Sequence, residues 1–300
     1  MKLKQKLFTL LMIMAMVLTA CGTVNKNTES NVTPEITKEV TPEVTPEEVN
    51  LKIVSFSPSI TEIIYALGAQ DYLIGRTDYC DYPKQALEIE SIGSFYTPDV
   101  EKVVSLEPDY VLASTLWTDE VAVKFKEAGI EVKTFIESNK VEDVYSLITN
   151  IADAVGKSNE AATIIEGMKQ ELKEIENKIK GLAKKTVYYV SSYGDSGDYT
   201  ATGDTYIHDM LTLAGGDNIA KDASNWSYSL EKLIEHDPEI IFIASFMKDD
   251  FLSNANYQNL SAVKNGQVYG IDNNLLDRQT NRTIKGIRML AEIIHPEAFQ

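Results

Sequence analysis

The rhythm of apolar and polar positions changes several times along the chain. Residues 7–20 form a mostly apolar run, residues 22–50 hold no aromatic side chain, and from Ile53 onward short apolar runs alternate with helical patterns. Ile53-Val54-Ser55-Phe56 reads as a strand. Residues 59–67 read as a helix with Ser59 as N-cap and Gly68 as its stop. Residues 100–105 read as another helix, and Pro108 then leads into Tyr110-Val111-Leu112-Ala113, an apolar run suited to a strand buried on both faces. Strands alternating with helices imply parallel α/β layers.

The same phrase occurs twice. Val100-Glu101-Lys102-Val103-Val104 followed by Pro108-Asp109-Tyr110-Val111-Leu112 returns 130 residues later as Leu230-Glu231-Lys232-Leu233-Ile234 and Pro238-Glu239-Ile240-Ile241-Phe242, with seven residues from glutamate to proline in both. A weaker pair precedes it, Leu67-Gly68-Ala69-Gln70-Asp71 against Leu213-Ala214-Gly215-Gly216-Asp217. Two lobes on one plan explain both pairs occurring in the same order. Between them, residues 159–185 lack proline, and Ala161, Ile164, Ile165, Met168, Leu172, Ile175, Ile179 and Leu182 recur at three- and four-residue steps. This predicts an amphipathic connecting helix of about 25 residues, which favours a small rocking motion over wide hinge closure. The predicted organisation is a leader over 1–20, a linker over 21–50, an α/β lobe over 51–156, a connecting helix over 157–185 and a second α/β lobe over 186–300. Each lobe is expected to be Rossmann-like, with a ligand cleft between them.

Charge and the N-terminus narrow the function. Of the 300 residues 44% are hydrophobic and 24% charged, which excludes a polytopic membrane protein and wholesale disorder. The net charge of −17 disfavours nucleic acid as a partner. Residues 1–6 are basic, and the apolar run behind them is shorter than the ~18–20 residues of a spanning helix, so it reads as a signal h-region. It ends in Leu18-Thr19-Ala20-Cys21-Gly22, which resembles a bacterial lipobox, in which the cysteine is diacylated and becomes the first residue after cleavage. Cys21 is therefore the expected lipidation site, and Cys80, the other cysteine, is left without a disulfide partner. Lipidation with two or more chains gives stable anchoring on the outer face of the membrane. Residues 22–50, with Thr33-Pro34-Glu35, Thr41-Pro42-Glu43 and Thr45-Pro46-Glu47, read as an extended, disordered spacer.

Enzymatic chemistry finds little support. Gly194-Asp195-Ser196-Gly197 looks like the nucleophile segment of a trypsin-like protease, but such a stretch is usually a loop, and His208, His236 and His295 all follow it in a chain that is not all-β. Neither Gly-x-Gly-x-x-Gly nor a P-loop sequence occurs, so a nucleotide cofactor has no phosphate cradle. Three scattered histidines offer little to a metal ion. No catalytic residues, cofactor or metal are expected.

Ile53-Val54-Ser55-Phe56-Ser57-Pro58-Ser59-Ile60-Thr61-Glu62, Gly75-Arg76-Thr77-Asp78-Tyr79-Cys80-Asp81-Tyr82-Pro83 and Leu106-Glu107-Pro108-Asp109-Tyr110-Val111 resemble the helical-backbone substrate-binding proteins of ABC importers. That group takes up cobalamin, ferric siderophores and haem, and Thr77-Asp78-Tyr79-Cys80-Asp81-Tyr82-Pro83 looks most like its cobalamin binders. The resemblance spans about residues 51–295. It implies a monomeric lipoprotein on the extracytoplasmic face of the cell membrane that captures a corrinoid, or alternatively haem or a ferric siderophore, for an ABC permease dimer. Tyr79 matches a tyrosine that stacks on the corrin. Phe95 stands where close relatives carry tryptophan, and Trp226 corresponds to a tryptophan of the second lobe. Arg278 matches a ligand-contacting arginine, able to donate to a phosphate or carboxylate, and Asn274 stands where aspartate is common. Asp277 and Arg282 lie in the same stretch, with Arg282 expected as a surface or capping residue. Glu101 and Glu231 match glutamates that form salt bridges with permease arginines.

Overall fold

The computed structural model describes residues 51–94, 96–114, 119–194 and 197–300, and Val49–Gln300 forms one compact unit. The expected leader, Cys21, the spacer and Phe95 lie outside the described residues. The first half runs Ile53–Ser55 (β1), Pro58–Ala66 (α1), Leu73–Arg76 (β2), Val100–Ser105 (α2), Tyr110–Ala113 (β3), Asp119–Glu127 (α3), Val132–Thr134 (β4) and Asp143–Val155 (α4). Its strands pair in parallel in the order β2-β1-β3-β4. Every residue of β1 and β3 is buried, as expected of strands covered on both faces. Helix α1 begins two residues earlier than the expected cap allowed: Ser57 holds the N-cap position and Pro58 opens the helix, where its missing N–H costs nothing and its fixed φ suits the first turn. Gly68 ends this stretch at φ +67°, a conformation that disfavours side chains.

Ser158–Ile179 (α5) connects the halves. It stops six residues short of the predicted end because Gly181 turns the chain at φ +81°, which leaves Leu182 exposed beyond the helix. The remaining predicted apolar positions face inward, with Ala161, Met168 and Ile175 buried and Ile164, Ile165, Leu172 and Ile179 packed beside them.

The second half comprises Lys185–Ser192 (β5), Tyr199–Thr200 (β6), Tyr206–Leu213 (α6), Gly216–Asn218 (β7), Leu230–His236 (α7), Ile240–Ala244 (β8), Lys248–Ser253 (α8), Ser261–Lys264 (α9), Val268–Ile271 (β9), Asn274–Asp277 (α10) and Thr283–Ile294 (α11). Strand β5 pairs in parallel with β7 and β8, and β8 with β9, which repeats the first sheet; antiparallel β6 is an addition at the carboxyl end of β5.

The repeat extends to atoms. Ile53 pairs with Tyr110, and Val187 with Ile240, each two residues past the proline. The backbone N–H of Lys52 donates to the Asp109 carboxylate at 2.8 Å, and that of Thr186 to the Glu239 carboxylate at 2.8 Å. The residue before each proline is left-handed, Glu107 at φ +51° and Asp237 at φ +36°. Asp99 and Ser229 cap α2 and α7 by accepting from the N–H of Lys102 and Lys232.

The two lobes nevertheless share one core. Its largest apolar cluster runs from Ile53, Ile63 and Ile148 through Met168 and Ile175 of α5 to Val187, Phe242 and Leu290. Smaller clusters cover the outer faces, around Val54, Phe56 and Phe125 in one lobe and Tyr188, Phe251 and Tyr257 in the other. Among the described residues no helix is long and apolar enough to cross a membrane.

Candidate functional site

In open parallel sheets the loops at the carboxyl ends of the strands line the ligand crevice. Those loops meet here. The segment after β1 brings Ser57, Pro58 and Ser59; the loop after β2 brings Tyr79, and the stretch before α2 brings Tyr96; the segment after β4 brings Glu137; and α10, after β9, brings Asp277 and Arg278. Together they line a cavity of about 450 Å³ between the lobes, within the ~300–1,000 Å³ usual for small-molecule sites. Tyr79 and Tyr96 are exposed along it.

The floor is held by a charge network across the lobes. Glu62, in the middle of α1, is buried among Ile60, Ile63 and Ile64 with only 1% of its side chain accessible. Its carboxylate accepts from Arg278 Nη1 at 2.8 Å and from Arg282 Nε and Nη2, each at 2.8 Å. Arg278 also donates to Asp81 at 2.8 Å and to the carbonyl of Tyr79 at 3.4 Å. Desolvation works against the Arg278 charge, but the bonds to Glu62 and Asp81 outweigh it and its pKa is raised. A buried carboxylate is stable only with such partners. The Arg282 guanidinium lies 3.7 Å over the Tyr82 ring, which corrects the surface half of the expectation of a surface or capping residue. Arg282 does occupy the cap position of α11, yet its side chain is buried by Glu62 and Tyr82.

Two further carboxyls face the cavity. Burial pushes the Glu137 carboxyl up, against the lowering effect of a hydrogen bond from Ser59. Desolvation also raises the Asp277 carboxyl, whose residue keeps solvent contact, although Asn273 Nδ2 donates to it at 2.6 Å and Tyr189 Oη at 3.4 Å. Neither is in a salt bridge among the described residues. Further bonds join the lobes beside the cleft: the Gln279 amide with the backbone N–H and carbonyl of Ser138, and Asp209 with Val141 N–H and Lys140 Nζ.

Of the residues singled out in the sequence, Tyr79 and Arg278 come together at this cavity. Asn274 opens α10 half-buried, and Trp226 sits exposed at φ +61° where Ser227 bridges to β6; neither is among the lining residues. Glu101 and Glu231 are the second residues of α2 and α7, both exposed. Cys80 is a buried free thiol 3.2 Å from Thr77 Oγ1, its pKa raised by burial. Tyr96 and Glu137 escape the sequence reading, which assigns Glu62 no role. An acid inside the run of isoleucines on α1 was the available signal for a buried, paired charge.

A larger cavity of about 790 Å³ touches the same network through Glu62, Tyr82 and Arg282, but it opens along the later turns of α1 and the start of α11. It reaches β2 at its amino end, Leu73, and does not gather the carboxyl-end loops of both sheets, so the smaller cavity is the candidate site. Among the described residues no group of three or more His, Cys, Asp or Glu is arranged to hold a metal ion.

Comparison with known proteins supports a binding role for the chain. Residues 53–275 match the model of the periplasmic binding protein family. The chain is 35% identical over 257 residues to the ABC transporter substrate-binding lipoprotein YvrC of Bacillus subtilis (strain 168), covering 83% of this chain and 81% of that protein. It is 25% identical over 245 residues to the vitamin B12-binding protein of Vibrio parahaemolyticus serotype O3:K6 (strain RIMD 2210633), covering 80% and 88%. In fold it is similar to the periplasmic haem-binding protein RhuT of Roseiflexus sp. RS-1, with a TM-score of 0.75, 21% identity, and coverage of 83% of this chain and 99% of that one. With the family model matching most of the described chain, the protein belongs to the periplasmic binding protein family: it is a two-lobed binding protein and not an enzyme.

Proposed function

We propose that the protein captures a corrinoid, with cobalamin foremost, outside the cell and delivers it to an ABC importer. The observation that carries this reading is the cleft itself: two exposed tyrosine rings stand over a charged floor at the strand ends of both lobes. Large flat macrocycles use such walls, since one aromatic side chain buries ~150–250 Å² with a defined ring geometry. A macrocycle would rest its edge on the floor between Arg278 and Glu137 and lay its faces against Tyr79 and Tyr96. The similarity to a vitamin B12-binding protein supports the corrinoid, and the similarity to RhuT supports haem as the second reading. Cys21 is the proposed lipid anchor, and Glu101 with Glu231 the proposed contacts to a permease dimer. Their equivalent positions on α2 and α7 suit a partner with two matching subunits. Binding is non-covalent.

Calorimetric titration of the purified protein with cobalamin, cobinamide and haem tests the reading. Corrinoid binding is expected, and Tyr79→Ala and Tyr96→Ala should each weaken it by at least ~1 kcal/mol. Unchanged affinity in folded variants would remove those rings from the site, and binding of haem alone would put the second reading in its place.

A further inference from the structure

We propose that this cleft selects its ligand by net charge, taking a neutral or cationic chelate rich in hydrogen-bond donors and rejecting one whose carboxylates or other anionic groups leave it net negative. The inference rests on the cleft being the ligand site, and it names what that ligand must look like.

Among the described residues, Arg278 is the one cationic side chain lining the cavity. Its guanidinium is already bound by Glu62 and Asp81. Glu62 and Asp81 balance Arg278 and Arg282, so the four-membered network carries no net charge. What remains on the cavity wall is Glu137 and Asp277, neither in a salt bridge among the described residues. Glu62 and Asp81 both hold Arg278 Nη1, so an incoming anion meets a guanidinium whose charge they already offset. Any further anion therefore adds to a wall that is already acidic. Repulsion in a partly desolvated cleft is strong, and specificity gained by repulsion is as real as specificity gained by contact. The chain's net charge of −17 opposes anions during approach as well.

The same groups suit hydrogen-bond donors. Two carboxyls and the hydroxyls of Ser57 and Ser59 present acceptors to amide N–H groups. The burial that raises the Glu137 and Asp277 carboxyls also strengthens such bonds once a ligand excludes water. A corrinoid's periphery of neutral amides fits this wall, whereas the two propionates of haem do not.

The test is a titration panel of opposite charges: cobalamin, cobinamide, haem, a neutral ferric trihydroxamate and a trianionic ferric triscatecholate. Neutral or cationic members should bind at least about ten-fold more tightly than haem and the triscatecholate. The Glu137→Gln/Asp277→Asn double variant should narrow that gap at least about three-fold, as a change of charge with little change of shape. Haem or the triscatecholate binding as tightly as the best neutral ligand would overturn the charge inference. If the trihydroxamate binds and neither corrinoid does, the corrinoid reading falls while the charge inference stands. If no member binds, both fall.

Discussion

Helices α1 and α6 hold the same place in the two lobes, yet they meet the rest of the molecule by opposite means. Counted from the first helical residue, Glu62 and Met210 both stand fifth, and both are buried. Met210 packs against α11 at Gly286, where an added Cβ would come within 2.8 Å of the Met210 methyl and 2.7 Å of the Leu275 carbonyl. Glu62 meets the start of the same helix, one turn earlier, through Arg282. A buried methionine is worth roughly 1.5–3 kcal/mol of apolar transfer, while a buried ion pair about breaks even against such packing. Charge in the first lobe is therefore not there for stability. It fixes direction: the planar Arg282 fork and the Arg278 guanidinium have fixed donor geometry, and both point at one carboxylate beside the cleft.

The largest effect should come from erasing that difference. Glu62→Met, which gives the first lobe the residue of the second, leaves two buried guanidiniums without their shared partner and should cost about 3–5 kcal/mol. Denaturant unfolding would report it as a lower midpoint at constant slope. A loss below about 1 kcal/mol would mean that the arginines turn to solvent and that the lobes do not differ as described.

A smaller effect tests the likeness instead. Asp109→Ala and Glu239→Ala each remove a carboxylate that accepts a backbone N–H at 2.8 Å near the start of β1 or β5, and each should cost about 1 kcal/mol. Being in separate lobes, the two losses should add in the double variant. Markedly unequal losses would show that the repeat is one of shape and not of energetics.

Cleft acids should behave in the reverse sense. Burial raises the Glu137 and Asp277 carboxyls in the folded state above their unfolded values, so the folded protein holds these protons more tightly. The penalty is absent below about pH 4 and develops as pH rises through the raised values. Glu137→Gln or Asp277→Asn should accordingly raise the melting temperature by about a degree or two at pH 7 and leave it unchanged in acid. A melting temperature that falls at pH 7 would identify these acids as structural. The smallest effect on binding belongs to Glu101 and Glu231. Replacing both with Ala should leave ligand affinity within error while impairing uptake in cells carrying the cognate importer, and normal uptake would reduce them to solvated surface charge.

The chain by itself determined what neighbouring residues control. Alternation of apolar runs with helical periods gave the α/β layers, and the Glu101–Pro108 and Glu231–Pro238 phrases gave two lobes on one plan, because strand burial, helix caps and the turn before each proline are set within a few residues. Residues that break a period also carried information: Gly181 in the connecting helix and Glu62 among isoleucines were visible, though only the first is a local signal with a local consequence. Only the tertiary structure decided what meets across the cleft. Glu62 and Arg282 are 220 residues apart, and a buried carboxylate chooses its partners by which surfaces the two sheets bring together. Tyr96, Glu137 and Asp277 became site residues for the same reason, since each is an ordinary loop or helix-end residue until the strand ends of two lobes converge. Charge on the cleft wall is a sum over both lobes, and no single stretch of sequence contains it.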